Sequence, residues 1–129
     1  MRRIALAIAV GLTAGAALAD PAEGAWQTAP DDNGNFGHVE VTTCGTAVCG
    51  TLVRAYDAGG QQIASPNVGR RIVWDMEPRG NGQYAGGKIY SPDRERTYNG
   101  RLTLTPSGLA VEGCVMGICR DGGTWARVD

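Results

Sequence analysis

The clearest pattern along the chain is an alternation of apolar and polar residues with a period of two, which is typical of half-buried β-strands. It is strongest in residues 86–104, where Tyr98, Leu102 and Leu104 share one face and polar residues occupy the other. Ser91-Pro92-Asp93 supplies turn chemistry before this strand, because Pro presets φ and Asp can bond to its own backbone. The segment therefore predicts a β-hairpin, which needs further strands to bury its apolar face.

Shorter segments with the same pattern supply these partners. The pattern predicts eight strands, at residues 24–28, 38–43, 51–56, 71–76, 83–90, 97–104, 109–115 and 123–128. Residues 57–69 contain Gly, Ser and Pro without any period, and they predict the longest loop. Short strands that follow one another without helices favour an all-β domain, either a sandwich or a small closed antiparallel barrel.

The N-terminus has the pattern of an export signal. Arg2 and Arg3 precede an apolar run over residues 4–18, and Ala17-Leu18-Ala19 matches a small-residue cleavage site. We therefore expect residues 1–19 to be a signal peptide and residues 20–129 to be one domain in the periplasm. An uncleaved membrane anchor is the alternative, which the short, Ala- and Gly-rich run disfavours. No other segment of the sequence is apolar for long enough to span a membrane.

Composition agrees with one small exported domain. The chain has 129 residues and 20 glycines, which indicate many turns and bulges without the strict period of collagen. Removal of residues 1–19 leaves ten Lys and Arg against thirteen Asp and Glu, a net charge of −3. A chain with this charge lacks the basic surface that nucleic-acid binding needs.

The four cysteines form two pairs with the same spacing, Cys44 with Cys49 and Cys114 with Cys119. Four thiolates can bind zinc, but an even number of cysteines in an exported chain favours disulfides. Each pair flanks a predicted four-residue turn, so local bridges are the first expectation and crossed bridges between the two hairpins are the alternative.

Two motifs that suggest metal or acid–base chemistry are weak. Residues 31–35 imitate the start of a calcium loop, but Phe36 stands where the loop needs Gly and Thr42 where it needs Glu. His38 is the single histidine, and alternation places it on the polar face of a strand. We expect no metal and no cofactor.

Several segments resemble DUF2147, a family of bacterial proteins with a domain of unknown function. The segments are Gly24-Ala25-Trp26, Val39-Glu40-Val41, Cys49-Gly50-Thr51-Leu52-Val53, Gly86-Gly87-Lys88-Ile89-Tyr90-Ser91-Pro92, Thr97-Tyr98, Leu102-Thr103-Leu104 and Thr124-Trp125-Ala126-Arg127-Val128. Two further segments, Arg71–Met76 and Val111–Arg120, are similar to short cysteine-containing members from alphaproteobacteria.

The resemblance implies a small exported protein with a lipocalin-like, up-and-down barrel and an unsettled biochemical role. Lipocalin-like barrels commonly begin with Gly-x-Trp and carry an Arg on the last strand that covers the Trp ring. Gly24, Trp26 and Arg127 match these structural positions, together with Trp125 on the last strand. A ligand-binding role for Arg127 is the rival interpretation. Many longer members carry Asn-Pro-Asp and Arg-rich sequence where this chain has residues 65–71, so any function of that loop is not carried over.

The interior of such a barrel is just wide enough to be filled by side chains or to hold one small ligand. The inward positions predicted by alternation are Trp26, Val39, Val41, Ile72, Trp74, Met76, Tyr98, Leu102, Leu104, Leu109, Val111 and Val115. Most are bulky, whereas glycines without side chains open space or let a neighbour approach closely; these are Gly86, Gly87, Gly100 and Gly113. We therefore predict a shallow pocket at one end, with these candidate ligand-binding residues: Trp74, Met76, Tyr84, Tyr90 and Tyr98 as walls, and Lys88 or Arg101 as a polar anchor.

Three functions are compatible with the sequence. The first is non-catalytic binding of a small apolar or amphipathic ligand, and the second is an accessory role in which a filled barrel contacts an envelope protein. The third is a hydrolase or isomerase that uses Asp75, Glu77, Tyr84 and Lys88. A filled interior with an apolar surface patch would favour the second function over the first.

The cleavage site gives a direct prediction. Protein recovered from the periplasm should begin at Asp20, because Ala17-Leu18-Ala19 precedes it. Intact-mass measurement would test this, and a mass that retains Met1 or Arg2 would contradict it.

Overall fold

The computed structural model describes residues 19–128, which form nine β-strands. The predicted signal peptide therefore lies outside the described residues, apart from Ala19. The strands are β1 (Gly24–Gln27), β2 (Phe36–Cys44), β3 (Ala47–Tyr56), β4 (Gln62–Ile63), β5 (Arg71–Gly80), β6 (Gln83–Ser91), β7 (Arg96–Thr105), β8 (Gly108–Val115) and β9 (Ile118–Arg127). Within this range, no helix is long and apolar enough to cross a bilayer.

Eight of the strands close into an antiparallel barrel. Each strand pairs with the next along the chain, except that β3 pairs with β5, and β1 joins β9 to complete the ring. β4 is a two-residue strand that pairs only with β3, inside the segment that the sequence predicted as a loop. The predicted closed up-and-down barrel is thus confirmed, and the sandwich alternative is wrong.

An up-and-down path puts alternate connections at opposite ends of the barrel. We call the end with the β2–β3, β5–β6 and β7–β8 turns the closed end, because residues 20–23 also lie there, before β1. The open end carries the β1–β2, β3–β5, β6–β7 and β8–β9 connections. Each of the eight barrel strands therefore runs from one end of the barrel to the other.

Most predicted inward residues do form the core. The buried core includes these predicted residues: Trp26, Val39, Met76, Leu102 and Leu109. Two of the predicted inward residues are not in the core: Trp74 on β5 and Val115 at the open end.

On β5 the alternation is interrupted. Ile72 and Val73 are both buried, and Trp74 pairs with the exposed Lys88 and is itself partly exposed. Register shifts between β3 and β5, together with a φ of 57° at Asp75, change which side chains point inward. Trp74 therefore faces outward although Ile72 and Met76 face inward as predicted.

Val115 follows the inward alternation of β8, but it lies beside the turn at the open end. Its side chain is 52% exposed, because the barrel provides no packing layer above it. It belongs to the rim of the barrel rather than to the core.

Both disulfides are local, and they brace hairpins at opposite ends of the barrel. Cys44 and Cys49 are bridged at the closed end with a Cα–Cα distance of 5.9 Å, and Cys114 and Cys119 are bridged at the open end at 4.0 Å. The hairpins are tighter than predicted, since β3 begins at Ala47 and β9 at Ile118. Each turn thus has two residues instead of four.

Trp26 and Arg127 join the first strand to the last. They are register partners between β1 and β9, and the Arg127 guanidinium carbon lies 4.2 Å from the centroid of the Trp26 ring. Arg127 also donates hydrogen bonds to the carbonyls of Glu23 (2.9 Å) and Pro21 (2.8 Å). One side chain therefore covers the indole and holds the residues that precede β1.

This joint predicts a non-additive pair of variants. Trp26→Ala should lower the free energy of unfolding by about 3–5 kcal/mol and Arg127→Ala by about 1–3 kcal/mol. The double variant should lose less than both combined, because the two side chains share one contact. Chemical denaturation of all four proteins would measure this, with Arg127→Lys as the control that keeps the charge but not the forked donors. Strict additivity would contradict the stacking.

Candidate functional site

The closed end is covered by residues 20–23, which we call the N-terminal strap. Ala22 is fully buried, and its carbonyl accepts a hydrogen bond of 2.8 Å from the Trp26 indole. Glu23 accepts hydrogen bonds from the backbone and side chain of Thr43 on β2. The strap therefore packs its own atoms over the closed end of the barrel.

Asp20 fixes the start of the strap. Its carboxylate accepts a hydrogen bond from the Tyr84 hydroxyl and another, of 2.8 Å, from the backbone of Ala22. Burial of the Tyr84 ring, together with the hydrogen bond to Asp20, raises the pKa of the phenol. Tyr84 thus acts as a hydrogen-bond donor that anchors the strap, and its raised pKa makes it a poor acid or base near neutral pH.

The middle of the barrel is filled by side chains. Gly100 on β7 has no side chain, but a Cβ placed there would lie 2.5 Å from atoms of both Ile89 and Met76. At Gly113, on β8, the Tyr98 ring occupies the corresponding space, 3.3 Å from such a Cβ. Large side chains thus approach Gly100 and Gly113 closely, which is the second of the two alternatives that the sequence allowed for inward glycines.

The open end is different, because apolar side chains remain exposed there. Three neighbouring residues share the inward-facing side of β7, β8 and β9: Tyr98, Val115 and Ile118. Asn99 pairs with Cys114, which brings the preceding Tyr98 beside Val115, and Val115 pairs with Ile118. Ile118 is 66% exposed and Tyr98 is partly exposed. We call Tyr98, Val115 and Ile118 the apolar rim. It is where an apolar group could contact the inner face of the barrel.

The predicted ligand-binding residues are distributed over several places. Met76 and Tyr84 are buried, and Tyr98 belongs to the apolar rim. Tyr90 packs against the edge of the core, with the Arg70 guanidinium 3.5 Å from its ring centroid. Trp74 lies on the outer face.

The two predicted polar anchors also lie on the outer face. Lys88 donates a 2.6 Å hydrogen bond to Asn99, and Arg101 forms a 3.0 Å ion pair with Glu112. Tyr84 and Arg101 border the same shallow cleft, but the structure does not gather all seven candidates into one pocket, and their part in ligand binding stays a prediction.

Two shallow clefts indent the surface of the described residues. One, of about 250 Å³, is bordered by Arg79, Gln83, Arg101 and Thr103 among others. The other, of about 200 Å³, lies beside Trp26 and Arg127 near the β7–β8 turn. Mostly exposed or half-buried residues line both, so these are surface features rather than a cavity inside the barrel.

The residues considered for acid–base catalysis do not form a cluster. Glu77 accepts long hydrogen bonds from Thr46 (3.2 and 3.3 Å), Lys88 is bonded to Asn99, and Tyr84 to Asp20. Asp75 is exposed on β5. Among residues 19–128, no group of three or more His, Cys, Asp or Glu side chains is arranged to hold a metal ion.

His38 lies in an aromatic group on the outer face. Its ring centroid is 4.7 Å from that of Tyr56, which stacks on Phe36, and Gln27 is 3.2 Å from its Nε2. Burial and the nearby Arg54 lower the pKa of His38, so the ring is neutral at neutral pH. This arrangement gives His38 a packing role.

Two features that distinguish the ends of the barrel were not predicted from the sequence. The strap was not recognised, because Asp-Pro-Ala-Glu has no strand or helix period. Met116 and Ile118 were assigned only to a turn, although Met-Gly is an unusual pair for a tight hairpin, where Asn-Gly is preferred. That unexpected Met was the available signal for an exposed apolar tip.

Comparison with known proteins places the chain in a family. Residues 24–127 match the family model described as "Uncharacterized protein conserved in bacteria (DUF2147)". The chain belongs to this family, as the sequence resemblance implied.

The barrel also resembles a solved structure. It is similar to the Helicobacter pylori protein HP1028, which is described as belonging to the lipocalin family, with a TM-score of 0.66 and 20% identity. The match covers 84% of this chain and 83% of the other. At this identity the likeness establishes a lipocalin-like fold. A search of curated proteins finds no match.

The contact between Tyr84 and Asp20 predicts a measurable loss. Tyr84→Phe should lower the free energy of unfolding by about 1–2 kcal/mol, because it removes a hydrogen bond to a carboxylate. Tyr56→Phe is the matched control, since its hydroxyl is 3.4 Å from His38 and its loss should cost less. If Tyr84→Phe costs the same in an Asp20→Ala background, the contact does not stabilise the protein.

The raised pKa of Tyr84 adds a pH dependence. In the unfolded chain the phenol ionises near pH 10, whereas the folded state retains the proton to higher pH. Above pH 10 the unfolded state therefore binds fewer protons, and stability falls as pH rises. Unfolding measured at pH 9 and pH 11 should show a smaller fall for Tyr84→Phe than for the wild type.

Proposed function

We propose that this protein is an exported, non-catalytic binding protein that holds a small, partly apolar ligand at the open end of its barrel. The observation that carries the proposal is the apolar rim, where Tyr98, Val115 and Ile118 expose apolar surface on the interior side of adjacent strands. An eight-stranded barrel can hold one small ligand at such a mouth.

The filled interior limits what the ligand can be. Met76, Ile89 and Leu102 occupy the middle of the barrel, so a ligand can insert only an apolar end at the rim. The remainder of the ligand would stay near solvent, beside Arg120, which pairs with Gly113 one row below the rim. An amphipathic molecule with an apolar tail and a polar or anionic head fits this arrangement.

A binding role fits the chemistry of the described residues better than catalysis does. A hydrolase or isomerase needs a nucleophile, acid or base close to a second polar group that activates it. The four candidates do not meet this need: Asp75 is exposed, and each of the other three makes a separate structural hydrogen bond, namely Glu77, Tyr84 and Lys88. These contacts favour binding over the third function.

Export supports the proposed location in the periplasm. The N-terminal sequence has the charge, apolar run and cleavage site of a signal peptide, and the strap is held from Asp20, the residue after that site. Two local disulfides also suit an oxidising compartment. We therefore propose residues 20–129 as the mature domain.

A second candidate is an accessory protein that contacts an envelope protein through its outer surface. The filled interior favours this function over ligand binding inside the barrel. It differs from the first proposal in needing no small molecule at the apolar rim.

Ligand binding can be tested with a fluorescent apolar probe, such as a naphthalene sulfonate or a fluorescent fatty acid. The wild type should bind it saturably, and Val115→Ser with Ile118→Ser should raise the Kd at least tenfold. Both residues are more than half exposed, so the double variant should fold. Val128→Ser is the control, because Val128 is 41% exposed near the closed end. Equal binding by the wild type and the double variant would refute the proposal.

A further inference from the structure

Exposed apolar side chains are concentrated at one end of the barrel. Among residues 19–128, six large apolar side chains are exposed, and five belong to open-end connections or to strand residues beside them. These five are Ile63, Val68, Val115, Met116 and Ile118. Only Val128 is near the closed end, so the two ends of the barrel present different chemistry to their surroundings.

Met116 stands out within this group, because it is 94% exposed at the tip of the β8–β9 hairpin. Its φ of 52° and the φ of 81° at Gly117 match a two-residue turn in which both positions need positive φ. Asn is favoured over Met at the first position. The chain itself shows the preferred solution in the β5–β6 turn, where Asn81 has a φ of 57° and Gly82 one of 77°. Met116 therefore does not serve the fold.

The hairpin that carries Met116 is rigid at its base. Cys114 and Cys119 pair across the two strands and are bridged, and Val115 pairs with Ile118 directly below the turn. The other disulfide-braced hairpin, at the closed end, has Gly45 and Thr46 at its tip. A disulfide across a hairpin thus does not by itself require an apolar tip. Because the disulfide already restricts the hairpin, its tip loses little conformational freedom when a partner buries it.

We propose that this hairpin docks the protein on a lipid bilayer, with Met116, Val115 and Ile118 inserted into the interfacial region. The hairpin tip is convex and offers three apolar side chains, whereas a stable protein interface needs about 20–30 residues on each side. A bilayer requires no matching surface, so a small protruding tip can bury its apolar area there.

The charges next to the tip are mixed, since Asp121 follows Arg120, but the arginines among them can bind lipid phosphates individually. Arg120 lies two residues beyond Ile118, and Arg94 and Arg96 belong to the neighbouring β6–β7 connection or its flank at the same end. Asp93 and Glu95 share that connection, and Asp93 accepts a hydrogen bond from Ser91. Guanidinium groups can bind lipid phosphates while the apolar tip is inserted.

This inference goes beyond the proposed function, because docking needs no ligand at the apolar rim. The two can also be combined: a protein that docks with its open end toward a bilayer presents the rim to amphipathic molecules in that bilayer.

Vesicle co-sedimentation would test the docking. The probe is a vesicle of phosphatidylcholine with one-third phosphatidylglycerol, compared with phosphatidylcholine alone. The wild type should sediment with the anionic vesicles, and Met116→Asn should lower the bound fraction at least fivefold. Because Asn is favoured at this turn position, the thermal midpoint of Met116→Asn should be equal or higher. Lost binding could then not be attributed to unfolding.

Two further variants sharpen the test. Arg120→Gln should weaken binding to anionic vesicles more than to neutral ones. Thr46→Met, which places a methionine on the braced hairpin of the opposite end, should not restore binding to Met116→Asn if the open end as a whole is the docking surface.

The outcomes are separable. Equal sedimentation of the wild type and Met116→Asn, or no sedimentation of the wild type, would overturn the inference. So would a dimer in the absence of lipid that Met116→Asn dissociates, since the tip would then bind a second copy. Failure of the proposed function is recognised separately, by the apolar probe in vesicle-free solution, where Met116→Asn should bind like the wild type.

Discussion

Closure between β1 and β9 is the constraint on which the rest of this structure depends. A sheet with apolar residues on one face has to bury that face, and closing the sheet into a barrel does so without any helix. The seam itself is short: its register pairs are Trp26 with Arg127 and Gln27 with Ala126, and the Val128 amide donates a further hydrogen bond to the Ala25 carbonyl. The buried indole, the guanidinium above it and the strap that Arg127 holds strengthen a seam that has few backbone hydrogen bonds of its own.

This way of closing the barrel makes its two ends unequal. At the closed end, the strap accepts hydrogen bonds from the Tyr84 hydroxyl and the Arg127 guanidinium, and Ala22 is buried beneath them. At the open end, Val115 and Ile118 are exposed among residues 19–128, although they continue the inward alternation of their strands. Among the described residues, the open end is therefore where the fold leaves this apolar surface exposed.

The interior of the barrel is packed with side chains and contains no deep pocket among the described residues. Glycines at inward positions usually signal space, but here Ile89, Met76 and Tyr98 turn into that space. Small and large residues on neighbouring strands complement one another, as in any closely packed core. Packing of this kind fills the middle of the barrel instead of leaving a deep cavity there.

The sequence by itself determined the class of fold and most of the core, and it favoured the local disulfides over crossed ones. Alternation is a local property, and residues such as Val39, Leu102 and Leu109 follow it because each strand needs only one buried face. Tertiary structure alone decided the rest. The bulges that turn Trp74 outward depend on the register between strands, which is set by pairing across the barrel. Whether glycines open a cavity depends on neighbours distant in sequence. The packing of the strap over the closed end depends on contacts of Asp20 and Ala22 with residues distant in sequence, which no local pattern encodes.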